Sequence, residues 1–493
     1  MSVTTTYTIS IVTLVVLSVT YLLHALYCLF LHPLRKYSGP WHWAISDLPR
    51  IARTLQGTNV KIIHELHLRY GNVVRVGPNE LSYTDGQAWK DIYNRHRGTF
   101  LKDPDFFGEA PNGVVHVASA SGATHARMRR MLLRGFSERA LREQGDLLLR
   151  HINHLVSTIR NHITHTDSAP TPVNVVDLLN FTTFDIQADM TFGESLHLLD
   201  NQTYVPWVRA SMAGVKFMAI RCVLRKLALI GRVVELLTAS RKKLEEHFNF
   251  SADLVNRRLA RSETTNPDIW RFVLQEKEEV RLTLPEMHSN AFALMMAGSE
   301  TTATVLSGLV YFLLREPVAM KRLATEIRDA FATDKDITPR TVARLEYLDG
   351  CILESMRLYP AAPVGLPRLV PSGGVNICNE MIPGGTMVYV SNYAANRSPR
   401  NFSRAEEYLP ERWLGLDSAF EEDHKDAFQP FSMGPQNCLG QNLAWQEMRL
   451  IVSKLLWHFD IQDANTNAGW TDQKTYIVWE KKPLMVQMML RSN

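Results

Sequence analysis

Hydrophobic and polar positions along this chain fall mostly into helical spacing. Apolar residues recur near i, i+3 and i+4 over residues 137–160, 174–194, 232–260, 285–315, 317–331 and 340–359, which predicts helices there. Period-two alternation is rare. It occurs at residues 71–85, GNVVRVGPNELSYTD, around a Gly-Pro turn, and predicts a β-hairpin. Short strand-like pieces return at 386–391 and 475–490. A third pattern has no period. From Tyr7 to Leu31 the chain is almost unbroken apolar sequence, and no Asp, Glu, Lys or Arg precedes Arg35. That run is long enough to cross a bilayer as a helix, which takes about 20 residues. It has no basic start or small-residue cleavage site, so an uncleaved anchor is expected rather than a signal peptide. The pattern predicts a mainly α protein with a small β region, behind a single N-terminal transmembrane helix.

Charge sets the expected topology. Arg35 and Lys36 follow the apolar run and nothing basic precedes it, which predicts residues 1–6 in the lumen, 7–31 as the anchor and the rest in the cytosol. Residues 32–40, HPLRKYSGP, read as a turn-rich hinge, and 41–493 as one catalytic domain without an internal linker or repeat. The formal charge of +4 gives no argument for nucleic acid binding. The five cysteines are scattered with no CxxC, against a disulfide framework or zinc site and for a reducing compartment.

One cysteine stands apart. In Phe431-Ser432-Met433-Gly434-Pro435-Gln436-Asn437-Cys438-Leu439-Gly440, Cys438 lies between two glycines, and a helical pattern starts at Gln441. Glycines let backbone approach a flat macrocycle. The start of a helix favours the thiolate over the thiol. The segment therefore reads as a single thiolate offered to a haem iron, an arrangement that promotes O–O cleavage. A second polar interruption falls inside the long apolar helix of residues 290–314, at Ala297-Gly298-Ser299-Glu300-Thr301-Thr302. Buried polar groups are costly unless they are satisfied or used. A glycine that opens room and a threonine that bonds the i−4 carbonyl would loosen this turn into a groove for O₂ and water. A third feature is Glu354 and Arg357, which share a helix face at i, i+3 and can pair.

Together these segments resemble the cytochrome P450 family over essentially the whole chain. Phe431, Gly434, Cys438 and Gly440 match its haem-binding loop, while Gln436 stands where the family has a basic residue. The resemblance implies haem b as cofactor, with Cys438 its axial iron ligand. It implies that Thr301 hydrogen-bonds iron-bound peroxide and that Glu300 relays protons. It implies that Glu354, Arg357 and Arg412 (in Pro410-Glu411-Arg412-Trp413) form a structural triad, and that His125, Arg129 and Arg368 serve the haem propionates. Arg127, Arg130 and Arg134 would face an acidic electron donor. No flavin or nicotinamide fingerprint is present, so the resemblance implies NADPH–cytochrome P450 reductase as partner, with cytochrome b5 a candidate second donor. Pocket walls would fall at 105–120, near Ala293 and Met296, at 364–366 and at 476–479; they are mostly apolar and suggest a bulky lipophilic substrate. Segment 203–235 would either dip toward the bilayer or pack as core helices.

The text looks most like fungal microsomal members, in the style of the isotrichodermin C-15 hydroxylase type. That implies an endoplasmic reticulum monooxygenase acting on a terpenoid or polyketide intermediate. Competing expectations are an isomerase or dehydratase on the same scaffold that needs no O₂, a non-catalytic haem sensor, and a structural membrane protein without haem.

Overall fold

In the computed structural model, residues 3–94, 100–164, 172–204, 206–227, 240–261, 267–275, 277, 281–415 and 417–491 are described. The apolar run forms the helix Val3–Leu26, continued by a wider turn at Tyr27–Leu31. It is apolar and long enough to span a membrane, and its most apolar stretch touches no other part of the protein. Its end does. Cys28 is buried, the Arg75 guanidinium donates to the Cys28 and Pro78 carbonyls at 2.9 and 2.7 Å, and His24 Nε2 lies 3.2 Å from the Ile45 carbonyl. One side of the last turns of the 7–31 segment is thus seated on the folded domain. The hinge is also tied down: Lys36 pairs with Glu380.

The spine of the fold is the helix Leu284–Arg315, opened by a Thr283/Glu286 capping box and buried around most of its circumference. A helix apolar on all sides must be surrounded, and here it is. Val175–Phe192 runs along it, buried at nearly every position, and Gln441–His458 and Glu346–Leu358 cross it. The Ser355 hydroxyl bonds the Val305 carbonyl at 3.2 Å and locks the last of these to the spine. The main sheet has five short strands in the order Val73–Gly77, Glu80–Tyr83, Met387–Val390, Arg368–Leu369, Leu101–Lys102.

The expected hairpin at 71–85 forms, antiparallel with a bulge between Arg75 and Gly77. Its second strand then pairs in parallel with Met387–Val390, a long-range partner that alternation cannot reveal. Other boundaries moved for local reasons. The helix expected at 137–160 breaks at Gln144, whose fully buried carboxamide donates to the Gly135 and Pro267 carbonyls. The stretch 340–359 divides into Pro339–Val342 and Glu346–Leu358. Of 475–490 only Met485–Leu490 is a strand; 475–479 contributes one isolated bridge. The helix expected at 232–260 appears as Ser240–Ala260, and 232–239 lies outside the described residues. The first part of segment 203–235 is the helix Pro206–Arg225, with 228–235 outside the described residues.

Burial also narrows the topology test. Of the Asn-x-Ser/Thr sites at 180, 201, 249, 396 and 401, Asn180, Asn396 and Asn401 are buried, so only Asn201 and Asn249 could report a luminal domain. Native protein is expected to show no mobility shift on glycosidase treatment; a shift abolished by Asn201→Gln or Asn249→Gln would reverse the orientation.

Candidate active site

Cys438 follows a short turn, Gly434–Gln436, and precedes the helix Gln441–His458. Its amide donates to the Phe431 carbonyl at 2.8 Å, which closes the loop, and the Phe431 ring leans toward Trp445. The thiol lies deep among protein atoms, yet its side chain is exposed, so it opens on an interior cradle rather than packing as a core residue. Burial pushes the thiol up, outweighing the Gly440 amide that donates to its sulfur and the Arg129 guanidinium nearby. Burial without a ligand therefore does not give a thiolate. A metal ion would, because a coordinating thiol is deprotonated outright.

The loop glycines have different jobs. Gly434 has φ +72°, and a Cβ there would collide with the Tyr93 carbonyl, so it is needed for chain packing. Gly440 has ordinary backbone geometry, and a Cβ there would meet only the Phe136 ring at 3.8 Å. Gly298 does not open room over a ligand either. Its missing Cβ is replaced by the Gln187 carboxamide, so the glycine serves the approach of Val175–Phe192.

The central helix presents one open stripe. Ala297 is exposed and Ala293 and Thr301 are half-buried at i, i+4, i+8, amid neighbours that are almost all buried. The Thr301 hydroxyl donates back to the Ala297 carbonyl at 2.6 Å, the predicted i−4 bond. Glu300 lies off that stripe. One of its oxygens is 2.8 Å from Lys481 Nζ and the other, buried, has no hydrogen-bond partner. Lys481 also reaches Thr304 Oγ1 at 3.0 Å and Asn180 Oδ1 at 3.2 Å. Nothing in the sequence pointed to Lys481, which comes from the far C-terminal segment.

A buried contact ties the helix that carries Thr301 to the helix that follows Cys438. Glu447, fully buried, hydrogen-bonds the Thr302 hydroxyl. Burial pushes the Glu447 carboxyl up to about 8, against the Thr302 bond that pulls it down. The folded chain keeps this proton where the unfolded chain releases it. The contribution of Glu447 to stability is thus full below about pH 4.5 and declines as pH rises toward 8. Glu447→Gln is expected to flatten that decline, read as melting temperature against pH.

The other candidates gather at one edge of the cradle. Arg129 donates to the Asn437 carbonyl at 2.7 Å and to the Asn437 side chain, beside Cys438. Arg368, buried, donates to the Pro367 carbonyl at 3.1 Å and to Gln436 Oε1 at 2.9 Å. His125 is buried in the same neighbourhood. Burial, followed by Lys102, Arg129 and Arg368, lowers it to about 4, so it is neutral at physiological pH. Lys102 was not among the sequence candidates. Of the arginines expected to meet a donor, Arg130 and Arg134 are exposed, whereas Arg127 pairs with Glu286 of the central helix.

These residues fit a haem: one exposed sulfur deep in the fold, a small-residue stripe on the helix packed against Gln441–His458, and buried or half-buried cations beside the Cys438 loop for two carboxylates. Cys438 would hold the iron, and Arg129 and Arg368 with their neighbours the propionates.

The triad sits behind this site, wholly buried. Glu354 accepts from Arg357 Nε and Nη2 at 2.8 and 2.7 Å, from Trp413 Nε1 at 2.9 Å and from Arg412 Nε at 3.4 Å. Asp423 is a second anion on Arg412, absent from the sequence reading.

Residues of three of the four expected pocket walls line two cavities, and Ala293 and Met296 line neither. One of about 590 Å³ lies between the loop 102–121 and the helices Pro206–Arg225 and Ser240–Ala260. Phe107, Val115, Phe217 and Leu244 line it, but so do Lys102, Arg221 and Glu245, so its wall is less apolar than the sequence suggested. A smaller one, about 90 Å³, joins Val364 and Gly365 to Tyr476 and Ile477.

Comparison with known proteins agrees with this geometry. The family model for cytochrome P450 matches residues 37–488. The monooxygenase efuB of Hormonema carpetanum is 42% identical, over 94% of this chain and 93% of its own. The monooxygenase astJ of Aspergillus oryzae is 43% identical, over 94% of each. Averantin hydroxylase of Aspergillus parasiticus is 40% identical, over 95% of this chain and 94% of its own. Motif, cradle and full-length similarity coincide: the chain belongs to the cytochrome P450 family, as a haem-dependent monooxygenase.

Proposed function

We propose that this enzyme hydroxylates an unactivated C–H bond of a lipophilic secondary-metabolite intermediate, of terpenoid or polyketide type, at the endoplasmic reticulum membrane. The observation that carries the reading is Cys438, deep in the fold yet with an exposed side chain, together with the open stripe of Ala293, Ala297 and Thr301 on the central helix. NADPH–cytochrome P450 reductase in the same membrane supplies two electrons. One atom of O₂ enters the substrate, and the other leaves as water with two protons. Haem, when bound, supplies the O₂ and single-electron chemistry. The protein supplies the rest. Ala293 and Ala297 leave space for the substrate carbon, and the apolar walls exclude water. Thr301 holds a proton at Oγ1 on the open stripe. Glu300, fixed by Lys481 at one oxygen, has a second oxygen free to carry a proton to it. Hydroxylation as the reaction type is supported by a relative named as a hydroxylase.

The test is metabolite comparison between the producing organism and a deletion strain, followed by microsomal turnover of the accumulated compound. A product gaining one oxygen, only with NADPH and O₂, is expected; turnover without them would favour an isomerase. Thr301→Ala is expected to keep its haem while product formed per NADPH falls by at least about tenfold, since positioned proton transfer contributes 10²–10⁴ in rate. Unchanged coupling removes Thr301 from this role.

A further inference from the structure

Lys102 and Arg368 occupy directly opposed positions where the strands Leu101–Lys102 and Arg368–Leu369 pair antiparallel. Like charges across such a pair repel. Both side chains are buried, 8% and 4% exposed, so water screens them little. The Phe107 ring lies 5.5 Å from Lys102 Nζ and 5.2 Å from the Arg368 guanidinium carbon, holding both around one apolar plate. Arg129, half-buried, is a third cation of the same neighbourhood.

Their partners are all neutral. Lys102 Nζ donates to the carbonyls of Ala118 and Ala120 at 2.7 and 2.8 Å and, at 3.4 Å, to that of Val117. Arg368 bonds backbone carbonyls and Gln436, and Arg129 bonds Asn437. Among the described residues no carboxylate pairs with any of the three, although acidic side chains meet cations elsewhere throughout the chain. Three convergent cations without an anion cost free energy unless a ligand brings the negative charge. Burial, followed by Arg368 and Arg129, holds Lys102 down to about 7, as expected of a cation whose counter-charge comes from elsewhere.

We infer that Lys102 is a cofactor-anchoring residue of this chain: with Arg129 and Arg368 it forms the site for the two haem carboxylates, supplying the positive charge that Gln436 lacks. The inference rests on haem occupancy of the Cys438 cradle. Lys102 also ties down the 117–120 loop and lines the 590 Å³ cavity. Carboxylate binding and the shape of that cavity wall are therefore set by the same side chain.

The experiment measures haem transfer from purified full-length holoenzyme to excess apomyoglobin, for wild type, Lys102→Gln, and Lys102→Gln with Gln436→Arg. Loss of a charge-assisted contact predicts that Lys102→Gln releases haem about ten- to a hundredfold faster. Arginine at 436, beside Arg368, is expected to restore most of the retention. Unchanged release from Lys102→Gln overturns the inference. So does faster release that Gln436→Arg fails to correct, because Lys102 would then only pin its loop. Should Lys102→Gln accumulate without haem, the double variant decides: recovery of pigmented protein supports the charge role, and continued absence overturns it. If wild type itself binds no haem, the Cys438 reading fails first, and separately.

Discussion

Cys438→Ser is expected to abolish the long-wavelength Soret band that the reduced, carbon monoxide-bound protein should show, and monooxygenation with it. The effect is all or none because the residue has no substitute. Cys438 is the cysteine of the cradle; Cys28, Cys222 and Cys351 are buried elsewhere, and burial pushes the thiols of Cys222 and Cys351 up, to about 11 in the case of Cys222. The loop that presents it is held by the Phe431 carbonyl and by Arg129 on Asn437, contacts that do not involve the sulfur. Folding should therefore survive the change, and the variant is a test of ligation rather than of stability. A serine variant that keeps the band, or pigmented wild-type protein that lacks it, would overturn the assignment. Haem content measured on the same sample separates loss of the ligand from loss of the cofactor.

The Cys438 loop stands out in the sequence because its pattern is local: a cysteine, its flanking glycines and the following helix lie within a few residues of one another. The long helices were legible for the same reason, each repeating its own apolar spacing. What stayed hidden depends on partners far along the chain. Lys102 sits in a two-residue strand and gains meaning only opposite Arg368. Glu300 could be picked out by its motif, but Lys481, which fixes one of its oxygens, lies close to the C-terminus in a segment whose strand-like spacing says nothing of that contact. Gly298 and Gly434 stood out as glycines, yet the reason for each is a neighbour, Gln187 or Tyr93, that only the fold brings close. Local motifs named the chemistry; long-range contacts decided which atoms each residue touches.

Glu354→Ala is expected to yield protein without stably bound haem. The argument is electrostatic. Glu354, Arg357 and Arg412 are all 0% exposed, so none can turn to water when a partner is removed. In the native chain two carboxylates, Glu354 and Asp423, stand against two guanidinium groups. Alanine leaves two buried cations on one anion and frees Trp413 Nε1 and the Leu409 amide, which both donate to Glu354. Breaking a buried pair on one side costs about 3–5 kcal/mol, a large share of the roughly 5–15 kcal/mol that holds a domain folded. The loss is focused on the cofactor. Trp413 packs against Phe428, 5.0 Å between ring centres, at the entrance to the loop that carries Cys438. Arg357 meanwhile fixes the chain through the Asn396, Ala405 and Glu407 carbonyls, at 2.8, 2.6 and 2.9 Å. Glu354→Gln keeps the shape but not the charge and should fall between wild type and alanine. Haem per protein and melting temperature measure the series; normal haem content in Glu354→Ala would show that this network does not support the cradle.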